Sequence, residues 1–478
     1  MNKKPLGAMG PSNNVNGSKN NPHPEVAMIF STSLPRFKAF LGEYSGKPSD
    51  LSCCLLLISS FILPCMRRSV AAASRSVLSD VREASWLLRW LGGSKAPATM
   101  LAAAHVQLET LAADQGKRLH ILAIDSTCHS QQGVYTQNTY STGNTKKRPA
   151  KSNRKQKKVH RKSSHCFVFA VLLCPNGLRI PYYLPFYTKE YCRIFGRKHL
   201  SQADLAAQLI DSIPVAKGAP VVVVGDTAFE AKQIRKACAR RDWQWVMPLN
   251  PERCLAGEKP RQKVHSLYDQ LHATDFRKVS FRLDEGDLSA LARVSSTRSK
   301  AKKHERTYWV HHRIAAVHNV GEVALLFSSQ QNPTTSGGVK VQKVLMSNAV
   351  KASTEDLLRW YSLRWQIELF FKECKSELGM CQYKLATGPF ARAVAWVDLA
   401  VVAFCYLEWY RYHKQQEAVG KDKSFWQRLR CSALKEKIRQ AVQRADIEAL
   451  LRLAGADDKH QLSVLLDRIC DDPDGAAA

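Results

Sequence analysis

Residues 361–375 read YSLRWQIELFFKECK. Tyr361, Arg364, Glu368 and Lys375 follow one another at spacings of three, four and seven. Each residue of a helix turns by about 100°, so with Tyr361 at zero, Arg364 falls at about 300°, Glu368 at about 340° and Lys375 at about 320°. Leu363, Ile367, Phe370 and Cys374 fall between about 180° and 240° on the same count. The stretch therefore predicts one amphipathic helix with a polar stripe opposite its packed face. Such a stripe is either a solvated face, with Arg364 and Glu368 as an i,i+4 pair worth a few tenths of a kcal/mol, or a surface that grips phosphates and a metal ion.

Two other carboxylates bear on that choice. RLHILAIDST (118–127) reads as a strand that is mostly apolar and ends in Asp125. In APVVVVGD (219–226), four valines between Pro220 and Gly225 predict a strand buried on both faces, with Asp226 at its C-terminal end. A carboxylate in such a place is costly to bury unless it meets a cation or a donor. Either aspartate alone could be a turn or helix cap. Together with Glu368 they form a set of hard oxygens. The set suits two divalent ions about 4 Å apart that bridge a scissile phosphate, activating the attacking oxygen and stabilising the leaving one.

The elements around these residues alternate. HCFVFAVLLCPNGLRIPYYLPFY (165–187) predicts two strands around the turn signal PNG, and SQADLAAQLIDSI (201–213) a helix capped by Ser201. TAFEAKQIRKACARR (227–241) predicts a helix and WQWVMPLN (243–250) a strand, giving a mixed α/β layer. Residues 262–350 hold strand-like runs and read as a β-rich insertion; from STEDLLRWY (353–361) onward the chain is helical. Residues 25–115 form a helical region, clearest in SVLSDVREASWLLRWLGG (76–93). The first 24 residues have the composition of a disordered tail, without an h-region.

Charge narrows the partner. The 478 residues hold 71 Lys plus Arg against 41 Asp plus Glu, a net +30 that calls for a polyanion, first of all nucleic acid. KKRPAKSNRKQKKVHRK (146–162) has ten basic residues and no acid; Lys146, Lys147, Arg148, Lys155, Lys157 and Lys158 read as an arm tracking DNA phosphates beside Asp125. The 14 cysteines include no C-x2-C pair, so a zinc ribbon is not indicated, and they read as reduced thiols of a cytoplasmic protein. LSCCLLLISSFILPCM (51–66) is short for a membrane span, and VAWVDLAVVAFCYLEWY (394–410) carries Asp398 and Glu408; both read as core helices. His129 reads as a local hydrogen-bonding group, DEGD (284–287) as a turn, and Trp309 as a sheet-core aromatic. No G-x-S-x-G elbow or P-loop is present.

LAIDSTCHSQQG around Asp125, VVVVGDTAF around Asp226 and YSLRWQIELFFKECK together resemble the insertion-sequence DDE transposases. The last segment matches their Y-x2-R-x3-E-x6-K signature at every spacing. The resemblance covers about residues 118–385. It implies an α/β fold: a ribonuclease-H-like core in two parts (116–261 and 351–412) around the β-rich insertion (262–350), with helical regions at 25–115 and 413–478. It implies metal-ligating, catalytic roles for Asp125, Asp226 and Glu368, and phosphate-binding roles for Tyr361, Arg364 and Lys375. The implied cofactor is Mg2+ as two ions, with Mn2+ able to substitute. The implied partner is double-stranded DNA, at element ends and target, bound by a homodimer on the nucleoid, with no membrane and no small-molecule substrate. By the same analogy residues 25–115 would read the element ends. One departure stands out. Some members stack a flipped base on a tryptophan at the end of the insertion, and VKVQKVLMSN (339–348) has none. Two alternatives share these features: a two-metal nuclease that cuts without joining, and a transposase-derived DNA-binding protein without catalysis.

Overall fold

The computed structural model describes residues 34–42, 44, 46–63, 82–113, 117–131, 135–142, 162–257, 262–283, 285, 288–291, 305–333, 341–383 and 387–453. Its strands are β1 (His120–Gln131), β2 (Tyr135–Thr136), β3 (Tyr140–Thr142), β4 (Lys162–Leu173), β5 (Arg179–Pro185), β6 (Val221–Gly225), β7 (Gln244–Pro248), β8 (Arg277–Arg282), β9 (Glu305–Val317), β10 (Gly321–Ser329), β11 (Lys343–Ser347) and β12 (Thr387–Gly388). Its α-helices are α1 (Phe37–Leu41), α2 (Pro48–Ile62), α3 (Arg82–Gly93), α4 (Ala96–Ala113), α5 (Lys189–Ile194), α6 (Gln202–Ser212), α7 (Lys232–Arg240), α8 (Thr354–Ser362), α9 (Trp365–Lys372), α10 (Ala391–Glu417), α11 (Lys421–Arg428) and α12 (Cys431–Leu453).

The apolar runs make a mixed sheet. β4 pairs antiparallel with both β1 and β5, and the turn between β4 and β5 closes at Gly177, whose φ of 82° suits glycine. β6 lies parallel to β1, and β7 parallel to β6, so these five strands run in the order β5-β4-β1-β6-β7. Val221–Gly225 are all buried, as a run of valines between two layers requires. The strands of residues 262–350 continue the same sheet, since β11 pairs antiparallel with β7 and is followed by β10, β9 and β8. Trp309 sits on β9, partly buried against the core.

Two local expectations need correction. β1 does not end at Asp125 but runs to Gln131, because its polar second half pairs with His165, Ser164 and Ser163 of β4. Residues 227–241 are not one helix: a 3-10 turn at Thr227–Phe229 precedes α7, and Glu230 between them is held by Arg235 and Arg253. Ser201, by contrast, caps α6 as expected, accepting from the Asp204 amide at 3.2 Å while Asp204 accepts from the Ser201 amide at 2.9 Å.

α10 is the one described helix long and apolar enough to cross a membrane, and 94% of its most apolar stretch is buried inside the protein. α1, α2, α3 and α4 pack against it, with Phe37, Phe40 and Tyr406 in mutual ring contact. Its two buried acids have partners. The Tyr183 hydroxyl donates to Asp398 at 2.5 Å. Glu408 accepts from Arg179 at 2.9 Å and from Arg411 at 3.0 Å. Residues 76–81 of the predicted 76–93 helix lie outside the described residues, and its remainder is α3.

Candidate active site

The parallel ladder between β1 and β6 ends at the pair Ile124 and Gly225. Asp125 and Asp226 are the next residue on each strand, so the ladder's end delivers two carboxylates side by side. β1 continues past this point on its β4 edge alone, with Asp125 opposite Phe169. Gly225 sits in a tight spot: a Cβ there would come within 3.2 Å of both Met247 Sδ and Phe229 Cβ, so either neighbour would have to give by a few tenths of an ångström. Asp226 also caps the following turn, its Oδ1 accepting from the Ala228 amide at 2.9 Å.

The helix of the opening stretch is broken twice. α8 stops at Ser362, and Leu363 and Arg364 donate to the carbonyls three residues back, Trp360 and Tyr361. These tight links overwind the chain before α9 begins. After α9, Glu373–Glu377 form a wide π turn. A single 100° count from Tyr361 to Lys375 therefore does not hold, and the predicted continuous stripe is replaced by three separately aimed pieces.

α9 carries Glu368 to the aspartates. The Arg364 guanidinium donates to Glu368 at 2.5 Å and reaches to 4.0 Å from Asp125 Oδ2. Leu363, Ile367 and Phe370 are fully buried beneath them, and the Phe370 ring packs on Phe169, the strand partner of Asp125. The aliphatic face thus sets where Glu368 points.

The electrostatics mark Asp125 as the strained member. Burial raises its carboxyl to about 6; the Ser126 amide, donating at 2.7 Å, pulls it back, Asp226 and Glu368 push it up, and Arg364 pulls it down. Among the described residues, no three His, Cys, Asp or Glu are grouped closely enough to hold a metal ion. The chemistry of Asp125, Asp226 and Glu368, three hard-oxygen carboxylates, is of the kind a divalent ion takes. Three hard-oxygen groups repel one another around a point where a cationic guanidinium now stands, and divalent ions would relieve that repulsion more strongly.

Of the other predicted residues, Tyr361 lies in the last turn of α8, and its hydroxyl accepts from Lys343 Nζ at 3.2 Å. Lys375 lies in the π turn with its ammonium 5.6 Å from the Phe371 ring centre and within electrostatic reach of Cys128 and His129. Burial holds His129 neutral, and its Nδ1 is 3.4 Å from the Tyr383 hydroxyl. Lys146, Lys147, Arg148, Lys155, Lys157 and Lys158 lie outside the described residues, as do Asp284, Gly286 and Asp287 of DEGD.

Two contributors were missed. Lys343 is exposed on β11 and covers the Tyr361 ring at 5.0 Å. Its signal was faint: one cation opening a strand. Arg179 on β5 is the other. It is buried, pairing with Glu408 and, at 2.8 Å, with Glu373 at the start of the π turn that bears Lys375. The sequence signal was Arg179, two residues after the PNG turn, a buried-strand position where a cation needs a carboxylate.

Residues 196–392 match the family model of the transposase DDE domain. The matched stretch contains Asp226, Tyr361, Arg364, Glu368 and Lys375, and begins after Asp125. No curated protein matches the chain.

Proposed function

We propose, from the premise that this chain is an insertion-sequence DDE transposase, that it cuts DNA at the ends of its element and joins the freed 3′-hydroxyl to target DNA. Transposases of this type act on DNA with divalent metal. Asp125, Asp226 and Glu368 would hold two Mg2+ ions, which Mn2+ could replace. The observation that carries it is the convergence of three elements, with Asp125 and Asp226 at the end of one parallel ladder and Glu368 brought to them by α9. The strand order β5-β4-β1-β6-β7, antiparallel for three strands and then parallel, supports a ribonuclease-H-like core.

Bound there, the ions would supply Lewis-acid stabilisation of charge developing on the scissile phosphate. The chain's own groups would do the positioning. Arg364 can turn its fork from the carboxylates to a phosphate, Tyr361 can donate one hydrogen bond, and Lys375 adds a point charge. In the first step water breaks the phosphodiester at the element end and leaves a 3′-hydroxyl. In the second, that hydroxyl attacks a target phosphodiester in line and expels the target's own 3′-oxygen. The run 146–162 would track the backbone, residues 25–115 would read the ends, and two copies would work on paired ends beside the nucleoid.

The test is cleavage and strand transfer on the element's own flanking DNA with Mg2+. Asp125→Ala, Asp226→Ala and Glu368→Ala are each expected to keep end binding and lose both products. Near wild-type cleavage by any of the three overturns the ligand assignment. Cleavage without joining of a pre-cut end identifies a nuclease, and no cleavage by the wild type with retained binding identifies a DNA-binding relic.

A further inference from the structure

Three residues beyond Asp125, β1 carries Cys128, and directly across the ladder on β4 stands Cys166. Residues opposite one another in an antiparallel pair share a face, and their Cα atoms are about 4.5 to 5.5 Å apart whichever kind of pair they form. That separation lies within the range a disulfide spans. The two thiols are close enough to shift each other's ionisation. Gln202, on α6, donates to Cys166 Sγ at 3.4 Å, so the pair is held from the helix side as well. The face differs from that of Asp125, since side chains alternate along a strand.

We propose that Cys128 and Cys166 are an oxidisable thiol pair, which hydrogen peroxide converts to a cross-strand disulfide. Cys128 is the entry point because it is the one exposed cysteine among those described, whereas Cys166 is buried. The Cys128 thiolate attacks the peroxide oxygen, giving a sulfenic acid and one water. The Cys166 sulfur then attacks the Cys128 sulfur, the S–S bond forms, and the sulfenic oxygen leaves as a second water. Two thiols are oxidised and one peroxide is reduced. In a reducing compartment such a bond is transient, as redox-sensing disulfides are.

Selectivity has a physical cause. The neighbouring Cys166 thiol, with the nearby Lys375 ammonium, brings the Cys128 thiol down to about 7. Burial pushes Cys53, Cys238 and Cys381 up to about 12, and raises Cys54, Cys174, Cys374, Cys405 and Cys431 as well. The proposal does not depend on the role of the carboxylates.

The test uses the full chain, reduced and then exposed to hydrogen peroxide, with peptide mapping under non-reducing conditions. The expected first product links Cys128 to Cys166. Iodoacetamide at neutral pH should alkylate Cys128 on the order of tenfold faster than the buried cysteines. In Cys166→Ser, Cys128 should accumulate as a sulfenic acid that dimedone traps; in Cys128→Ser, Cys166 should stay reduced. Circular dichroism checks that both variants fold, and if either does not, the wild-type alkylation rates and peroxide map decide alone. Overturning results are oxidation that begins at another cysteine, Cys128 that reaches sulfinic acid without linking to Cys166, or alkylation without preference.

Discussion

Arg364, at the N-cap of α9, and Glu368, one turn on, are joined by a 2.5 Å hydrogen bond that turns the guanidinium toward Asp125. The arginine is the counter-ion of the carboxylate cluster while no metal is bound. Arg364→Ala should therefore lower the thermal midpoint in EDTA by the equivalent of about 1 kcal/mol. Saturating Mg2+ should recover more of that loss than it adds to the wild type. Equal midpoints in EDTA would show that the guanidinium carries no such role.

Asp125 gives a pH signature. Its carboxyl is raised to about 6 in the fold, chiefly by burial, against about 3.9 in an unfolded chain. Below about pH 4 both states hold the proton and nothing is lost. Between about 4 and 6 the unfolded chain gives up its proton first, so stability falls as pH rises through that window and stays lower above it. Asp125→Asn should remove this component, on the order of 2 kcal/mol after solvent screening, and be the more stable protein at pH 7.5 without metal. Asp398, also raised to about 6 by burial, contributes a similar slope, so the difference between wild type and variant is the quantity to measure. Parallel pH profiles of the two proteins would rule out the burial of an ionised Asp125.

Much of this site could be read along the chain, and the exceptions have physical causes. Val221–Val224 announced a doubly buried strand, the PNG turn announced a hairpin, and Ser201 announced a helix start. Each is a local signal. The extension of β1 past Asp125 was invisible because Ser126–Gln131 are polar and become strand only by pairing with β4. The break of the helix at Leu363 and the π turn at Glu373 were equally hidden. Helical counting assumes i→i−4 bonds, and which bond forms there depends on what the turn packs against. At Glu373 that neighbour is Arg179, distant in sequence.

The Arg179 cluster should matter for stability first. Arg179 is buried between Glu408 at 2.9 Å and Glu373 at 2.8 Å, and Arg411 donates to Glu408 and to the Gly177 carbonyl. Arg179→Met leaves two carboxylates without their shared cation and is expected to cost about 3–5 kcal/mol. Adding Glu408→Gln should restore part of that loss, because the same charge would no longer be stranded. Denaturant titrations of both single variants and the double variant measure the coupling. Strict additivity would mean that the pair does not act as a unit.

Lys375 lies in the π turn and Lys343 covers the Tyr361 ring. In the proposed complex each would neutralise one backbone phosphate of a duplex laid across the site. Binding through such contacts releases counter-ions, so the slope of log affinity against log salt falls by about 1 for each cation removed. Lys375→Ala and Lys343→Ala should each flatten the slope by that amount, and the double variant by about 2. Neither should change the pH profile of Asp125-dependent stability, because neither lysine is among the groups that shift that carboxyl. Filter binding or fluorescence anisotropy across a salt series on an element-end duplex gives the slopes. An unchanged slope for Lys375→Ala would mean that the DNA does not cross the π turn, and would move the bound duplex toward β11.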